Sequence, residues 1–203
     1  MDRTGRAWMA GLAVLVGILG SQQLATAEVG DPIDIQVGVI DRVGIPSAEL
    51  SSAQQEVARI YRELNISLSW IGSEFATGER RFVVHIVRTP PTAHPKSNEG
   101  VLGLAPGTKV VRGRRAWAFY NRIHDFAVER GARRSLVLGL VIAHEIGHLL
   151  LPNDSHTPTG LMSSGWDAKA LASAEAGLLT FSAHQVALIR SRLQNVRGTA
   201  ARR

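Results

Sequence analysis

Residues Val137 to Met162 read VLGLVIAHEIGHLLLPNDSHTPTGLM, and the fold is decided here. His144, Glu145 and His148 form an H-E-x-x-H set. On a helix the two histidines stand four positions apart, one turn above the other on the same face. Two imidazoles so placed reach one ion, and zinc accepts neutral imidazole nitrogen at about 2.0–2.1 Å. A catalytic zinc keeps three protein ligands and an open position, so the third must come from beyond the helix. Glu145 points beside the pair, where a carboxylate can take a proton from water and pass it to a leaving amine.

The flanks support a buried helix. Leu136, Val137, Leu138, Leu140, Val141 and Ile142 are apolar on all sides, as in a helix at a domain centre. Two histidines and a glutamate are not carried into such a setting without partners. Pro152 ends the helix, because it lacks an N–H and disfavours helical geometry in the residue before it. His156 follows the break, then a Thr-Pro-Thr-Gly turn and Met162.

His144, Glu145, Gly147 and His148, a histidine past the helix and a methionine in a later turn resemble the metzincin zinc proteases, whose pattern is H-E-x-x-H-x-x-G-x-x-H with a Met-turn. The match is closest to matrixin-type members, through H-E-x-G-H and the pair His156, Thr157. Two positions depart from the pattern: Leu151 stands for the family's glycine and Asp154 for its third histidine. The resemblance implies zinc held by His144, His148 and a third ligand, for which His156 is preferred and Asp154 is the alternative. Pro152 and Asn153 would then make the reversal that the glycine makes elsewhere. It further implies Glu145 as general base, Met162 as the Met-turn residue beneath the ligands, and Trp166 either as a wall of the specificity pocket or as core packing. The implied activity is that of an exported zinc-dependent endopeptidase acting on peptide or protein substrates. The alternatives are a non-catalytic secreted zinc-binding or interaction protein, and a different zincin type taking Glu175 from a later helix as third ligand.

The implied fold class is α+β: a metzincin-like domain with a five-stranded mixed twisted sheet, a βαβ start, a buried active-site helix and a C-terminal helix. Periodicity agrees along the chain. Ile33–Ile40 alternates apolar and polar residues as a strand does. Leu50, Ala53, Val57, Ile60, Tyr61 and Leu64 recur at helical spacing, with Ser51 or Ser52 as N-cap. Ile66–Ile71 and Arg81–Val87 read as strands, and strand, helix, strand makes a right-handed βαβ unit. Val101–Leu104 is a short strand and Ala116–Tyr120 a further one, so five strands and one helix precede the zinc helix. That order is similar to the metzincin one, and the resemblance implies that Gly100–Ala105 is the antiparallel edge on which an extended peptide would pair. Phe181–Leu193, capped by Ser182, closes the fold as an amphipathic helix. His85 is a strand residue, His94 lies in a loop and His124 on a surface; none is taken as a ligand.

Residues 1–27 read as a signal peptide, with Arg3 and Arg6, an apolar run over Gly11–Gly20, and Ala25-Thr26-Ala27 before Glu28. That run is too short for a mature span, which needs about 20 residues. Export to a secreted or periplasmic location is expected, with no stable membrane anchor, a domain over 28–198 and a flexible basic tail over 199–203. The chain holds no cysteine, which excludes disulfides and a thiol-bearing inhibitory segment, so an enzyme here is expected to be active once exported. Removing Asp2, Arg3 and Arg6 lowers the formal charge from +6 to +5. The basic residues lack aromatic interleaving and any nucleic-acid motif, so they read as a solvated face, with no nucleic-acid partner and a monomer expected.

Overall fold

The computed structural model describes residues 31–72, 80–90, 100–106, 114–152 and 155–200. The expected signal peptide, His94, Asn153, Asp154 and residues 201–203 lie outside the described residues.

Five strands form one sheet: β1 (Ile33–Asp41), β2 (Ile66–Ile71), β3 (Arg81–Val87), β4 (Gly103–Leu104) and β5 (Arg115–Phe119), in the order β2-β1-β3-β5-β4. β1 pairs in parallel with β2 and β3, and β3 in parallel with β5. β4 runs antiparallel to β5 at the edge, through Gly103 opposite Ala118 and Leu104 opposite Trp117. The sheet is thus mixed, as expected. Its edge strand is shorter than the Gly100–Ala105 span expected of it.

Alternation explains why one sheet face is closed. Ile33, Ile35 and Val37 of β1, Phe82, Val84 and Ile86 of β3, and Ala116 and Ala118 of β5 are all buried. On this apolar face lie α1 (Ser47–Arg62) and α3 (Arg134–Leu150), which pack on one another as well as on the sheet. Ala53, Val57, Ile60 and Tyr61 are the buried positions of α1. α3 is buried on nearly every side, including Leu138, Leu140 and Ile142 at its centre. The two helices approach closely because Gly139 has no side chain: a Cβ there would lie 2.8 Å from the carbonyl oxygen of Ala53. Tyr61 spans the same junction and donates its hydroxyl to the carbonyl of Ala143 at 3.1 Å.

Several boundaries differ from expectation. α1 starts at Ser47 behind Pro46, not at Ser51 or Ser52, and Ser52 instead bonds back to the carbonyl of Ala48. The cause lies upstream: the Asp41 carboxylate accepts the N–H groups of Val43, Gly44 and Ile45, which closes the turn early and delivers the chain to the helix at Pro46. Among the described residues two helices precede the site helix, not one. α2 (Tyr120–Arg130) follows β5 directly, so Tyr120 is helical; Ile123 and Ala127 are its buried residues and Gly131, at φ 60°, terminates it. α4 (Ala168–Glu175), whose bounds were not read from periodicity, carries Glu175 at its end, and Asp167 caps it by accepting the N–H of Ala170 at 2.8 Å. α5 (Ala183–Ala200) opens after the expected cap Ser182 and continues through Gly198 to Ala200, two residues into the span expected as a tail. A glycine lowers helix stability by only about 1 kcal/mol and need not end it. Among the described residues no helix is long and apolar enough to cross a membrane.

Candidate metal centre

α3 carries His144 and His148 on successive turns and ends at Leu150. Leu151 still donates to the carbonyl of Gly147 at 2.8 Å but is extended, as the residue before Pro152 must be. Beyond Pro152, His156 lies against the pair. Nε2 of His156 lies 3.1 Å from Nε2 of His148 and 3.3 Å from Nε2 of His144. Among the described residues these three form the one group of ligand-type side chains that could hold a metal ion.

The tautomers explain why the meeting point suits a cation. Nδ1 of His144 stands 2.8 Å from the carbonyl oxygen of Leu161, which can only accept, so Nδ1 carries the hydrogen and Nε2 presents a lone pair. Nδ1 of His148 is 3.2 Å from the hydroxyl of Ser155. Burial pushes the imidazole of His144 down to about 4 and that of His148 down to about 3, the latter also through the two neighbouring histidines. Both rings are therefore neutral near pH 7. Tetrahedral zinc with bonds of 2.0–2.1 Å requires ligand nitrogens roughly 3.3–3.4 Å apart, and the two separations observed approach that spacing. The residues fit the ion.

Glu145 is buried, and its Oε2 has no hydrogen-bond partner among the described residues. Burial alone pushes its carboxyl up to about 8. A lone carboxyl in such a place costs free energy unless another charge or a ligand meets it, and a dication beside it would restore the ionised form.

Beneath the histidines the segment after His156 closes on itself. Thr157 donates to the carbonyl of Met162 at 2.9 Å, Ser163 donates to Gly160, and Gly160 supplies the positive φ of 84° that the turn requires. Met162 is fully buried. A Cβ on Gly147 would lie 2.7 Å from its sulfur and 2.8 Å from the Phe181 ring, so the glycine of H-E-x-G-H is where the methionine meets the helix. Trp166 is buried too, with its ring edge-on to His144 at 5.8 Å between centroids. It is core packing that also touches a site residue.

The remaining candidates separate cleanly. Glu175 is on the exposed side of α4 in an ion pair with Arg133 at 2.6 Å, outside the histidine cluster, which removes the reading of it as third ligand. His85 stacks on Trp117 across the sheet, and His124 accepts a hydrogen bond from Arg134 at the surface. Three residues with evident bearing on the site were not legible in the sequence. Gly103 touches Glu145 from the edge strand, Ser155 touches His148, and Gln185 holds the Ser155 carbonyl. For Gln185 a signal existed, since Ser182-x-x-Gln185 has the spacing of a capping box, but nothing in it points to residue 155.

What the fold and site define is an α+β domain with a three-histidine candidate metal centre on its central helix. No protein-family model matches the chain, and no curated protein matches it in sequence. Among solved structures it is similar to the crystal structure of metalloproteinase-II from Bacteroides fragilis, at 15% identity and a TM-score of 0.48 over 81% of this chain and 53% of that one. The chain thus spans about half the length of that structure.

Proposed function

We propose that the protein is an exported zinc-dependent peptidase of metzincin type, with His144, His148 and His156 as metal ligands and Glu145 as general base and then acid. The carrying observation is the convergence of three Nε2 atoms at 3.1 and 3.3 Å, with a buried carboxyl on the residue that follows His144 whose Oε2 has no partner among the described residues. When bound, zinc would supply Lewis acidity toward a carbonyl oxygen and lower the pKa of water toward about 7.

Everything else falls to the chain. The carbonyl of Leu161 keeps His144 in the tautomer whose Nε2 is a donor of electrons, and Ser155 orients His148. Glu145 Oε2 accepts the proton of the attacking water as the C–O bond forms. It then gives that proton to the departing amine nitrogen as the C–N bond breaks. β4 is the sheet edge whose Gly103 adjoins Glu145, and an extended peptide pairing there would lie beside the carboxylate. Met162, packed on Gly147 below the ligands, supports the Met-turn assignment. Export rests on residues 1–27 of the sequence.

The test uses purified protein spanning residues 28–203. We expect about one zinc per chain, cleavage of a peptide library that is lost on chelation and restored by zinc, and a Glu145→Ala protein that keeps its zinc and cleaves nothing. Full zinc binding with no cleavage by the wild type would instead assign a non-catalytic zinc-binding protein.

A further inference from the structure

We infer that Gln185 is a positioning residue for the metal centre: one carboxamide both caps α5 and holds the loop that presents His156. This rests on the metal-site reading above.

Gln185 is buried and uses both ends of its side chain. Oε1 accepts the backbone N–H of Ser182 at 3.0 Å, while Ser182 Oγ accepts the N–H of Gln185 at 3.3 Å, a reciprocal cap at the start of α5. Nε2 meanwhile donates to the carbonyl oxygen of Ser155 at 3.0 Å, thirty residues away in sequence. Ser155 is the residue through which the site is assembled. Its hydroxyl meets Nδ1 of His148, and its carbonyl carbon is bonded to the nitrogen of His156. Fixing that carbonyl therefore fixes the peptide plane from which His156 departs and the hydroxyl that orients His148.

The anchor is itself rigid. Ile189 and Leu193 bury one side of α5, Arg190 donates to the carbonyl of Leu64 at 2.8 Å, and Arg80 donates to the carbonyl of Leu193 at 2.6 Å. The need for such an anchor follows from the spacing of the motif: Leu151 occupies the glycine position and His156 comes two residues late. The approach to the third histidine is thus two residues longer than the pattern it resembles. Outer contacts that orient ligands are worth about 10- to 100-fold in metal affinity.

The chemistry also says which amide atom matters. Glutamate is the usual alternative to glutamine in a capping box. Its carboxylate could accept from Ser182 but, when ionised, has no hydrogen to give to Ser155, so the comparison is read well above neutral pH. Gln185→Glu therefore cuts the loop contact and spares the cap, whereas Ser182→Ala weakens the cap and spares the loop contact.

The experiment measures zinc affinity by competition with a chelator, the thermal midpoint of the metal-free protein, and the visible ligand-field spectrum of the Co(II)-loaded protein. The expected result is a loss of zinc affinity of about 10- to 100-fold in Gln185→Glu, with an altered Co(II) spectrum; the metal-free midpoint falls as well, because a buried carbonyl loses its donor, so affinity and spectrum are what separate it from Ser182→Ala. Ser182→Ala should lower the midpoint and leave affinity and spectrum at wild-type values. Equal affinity in Gln185→Glu and wild type, or an equal loss in Ser182→Ala, overturns the inference. A wild-type protein that binds no zinc overturns the metal-site reading and this inference together. Should Gln185→Glu fail to fold, Gln185→Met against Ser182→Ala makes the same comparison. A loss confined to Gln185→Met supports the inference, and a loss shared by both overturns it.

Discussion

A β-carbon on Gly103 would stand 2.6 Å from Oε1 of Glu145 and 2.8 Å from its Cγ, with the Trp117 carbonyl oxygen also at 2.8 Å. The edge strand is thus built flush against the proposed base, and the missing side chain is what admits it. In Gly103→Ala the methyl group would clash with the Trp117 carbonyl oxygen of β5 as well as with Glu145, so both the β4–β5 pairing and the carboxylate must shift. Displacements of about 1 Å cost up to about 100-fold in rate. We expect Gly103→Ala to lose about that much kcat while retaining wild-type zinc stoichiometry. Unchanged kcat would show that Glu145 tolerates the displacement.

His156 and Asp154 compete for the third ligand place in the sequence, and the Nε2 separations favour His156. Zinc that binds only the folded state stabilises it by about 2.7 kcal/mol at a hundred times the dissociation constant. Wild type should therefore gain thermal stability on zinc addition. His156→Ala should lose most of that gain and Asp154→Ala little of it. The opposite order would transfer the role to the aspartate.

Gly147 is the contact point for both Met162 and Phe181. Alanine is the better helix former by up to about 1 kcal/mol, yet overpacking a filled core costs about 1–3 kcal/mol. Packing should win, because the sulfur and the ring sit 2.7 and 2.8 Å from the added carbon. Gly147→Ala is expected to unfold at lower urea concentration than the wild type. A midpoint at or above the wild-type value would mean that Met162 and Phe181 yield freely.

The Glu49 carboxylate is gripped by the Arg134 guanidinium and receives the Tyr120 hydroxyl at 2.9 Å, which ties the starts of α1, α2 and α3 together. Arg134 holds the Glu49 carboxyl below its ordinary value, against the opposing effect of burial. Stability from a carboxyl lowered in this way is complete above its unfolded value of 4.5 and fades as pH falls through the folded one. Glu49→Gln should thus cost about 1 kcal/mol at neutral pH, the pair being partly solvated. Below pH 4.5 it should also lose less on further acidification than the wild type does. Parallel pH profiles of unfolding for the two proteins would remove Glu49 as a contributor.

Local pattern was enough for most of the framework. The alternation in β1 and β3, the all-round apolar character of α3 and the stop at Pro152 are properties of neighbours in sequence. The sheet, the buried helix and the spacing of His144, Glu145 and His148 were readable for that reason. α2 and the true start of α1 were less so. Ile123 and Ala127 supply only a short apolar stripe, and the start of α1 depends on the Asp41 side chain capturing three backbone groups ahead of it. α4 is shorter still, with Leu171 and Ala174 alone buried.

By itself the sequence determined which residues could bind a metal and that two of them share a helix face, because helical periodicity relates positions four apart without reference to the rest of the chain. Only the tertiary structure decided that His156 reaches the pair, that Glu175 is spent on Arg133, that Gly103 adjoins Glu145 and that Gln185 holds the Ser155 carbonyl. Those relationships join residues far apart along the chain, and they exist only once the sheet, α3 and α5 have packed. No periodicity encodes contacts of that kind; they follow from which surfaces the folded core brings within a few ångströms of one another.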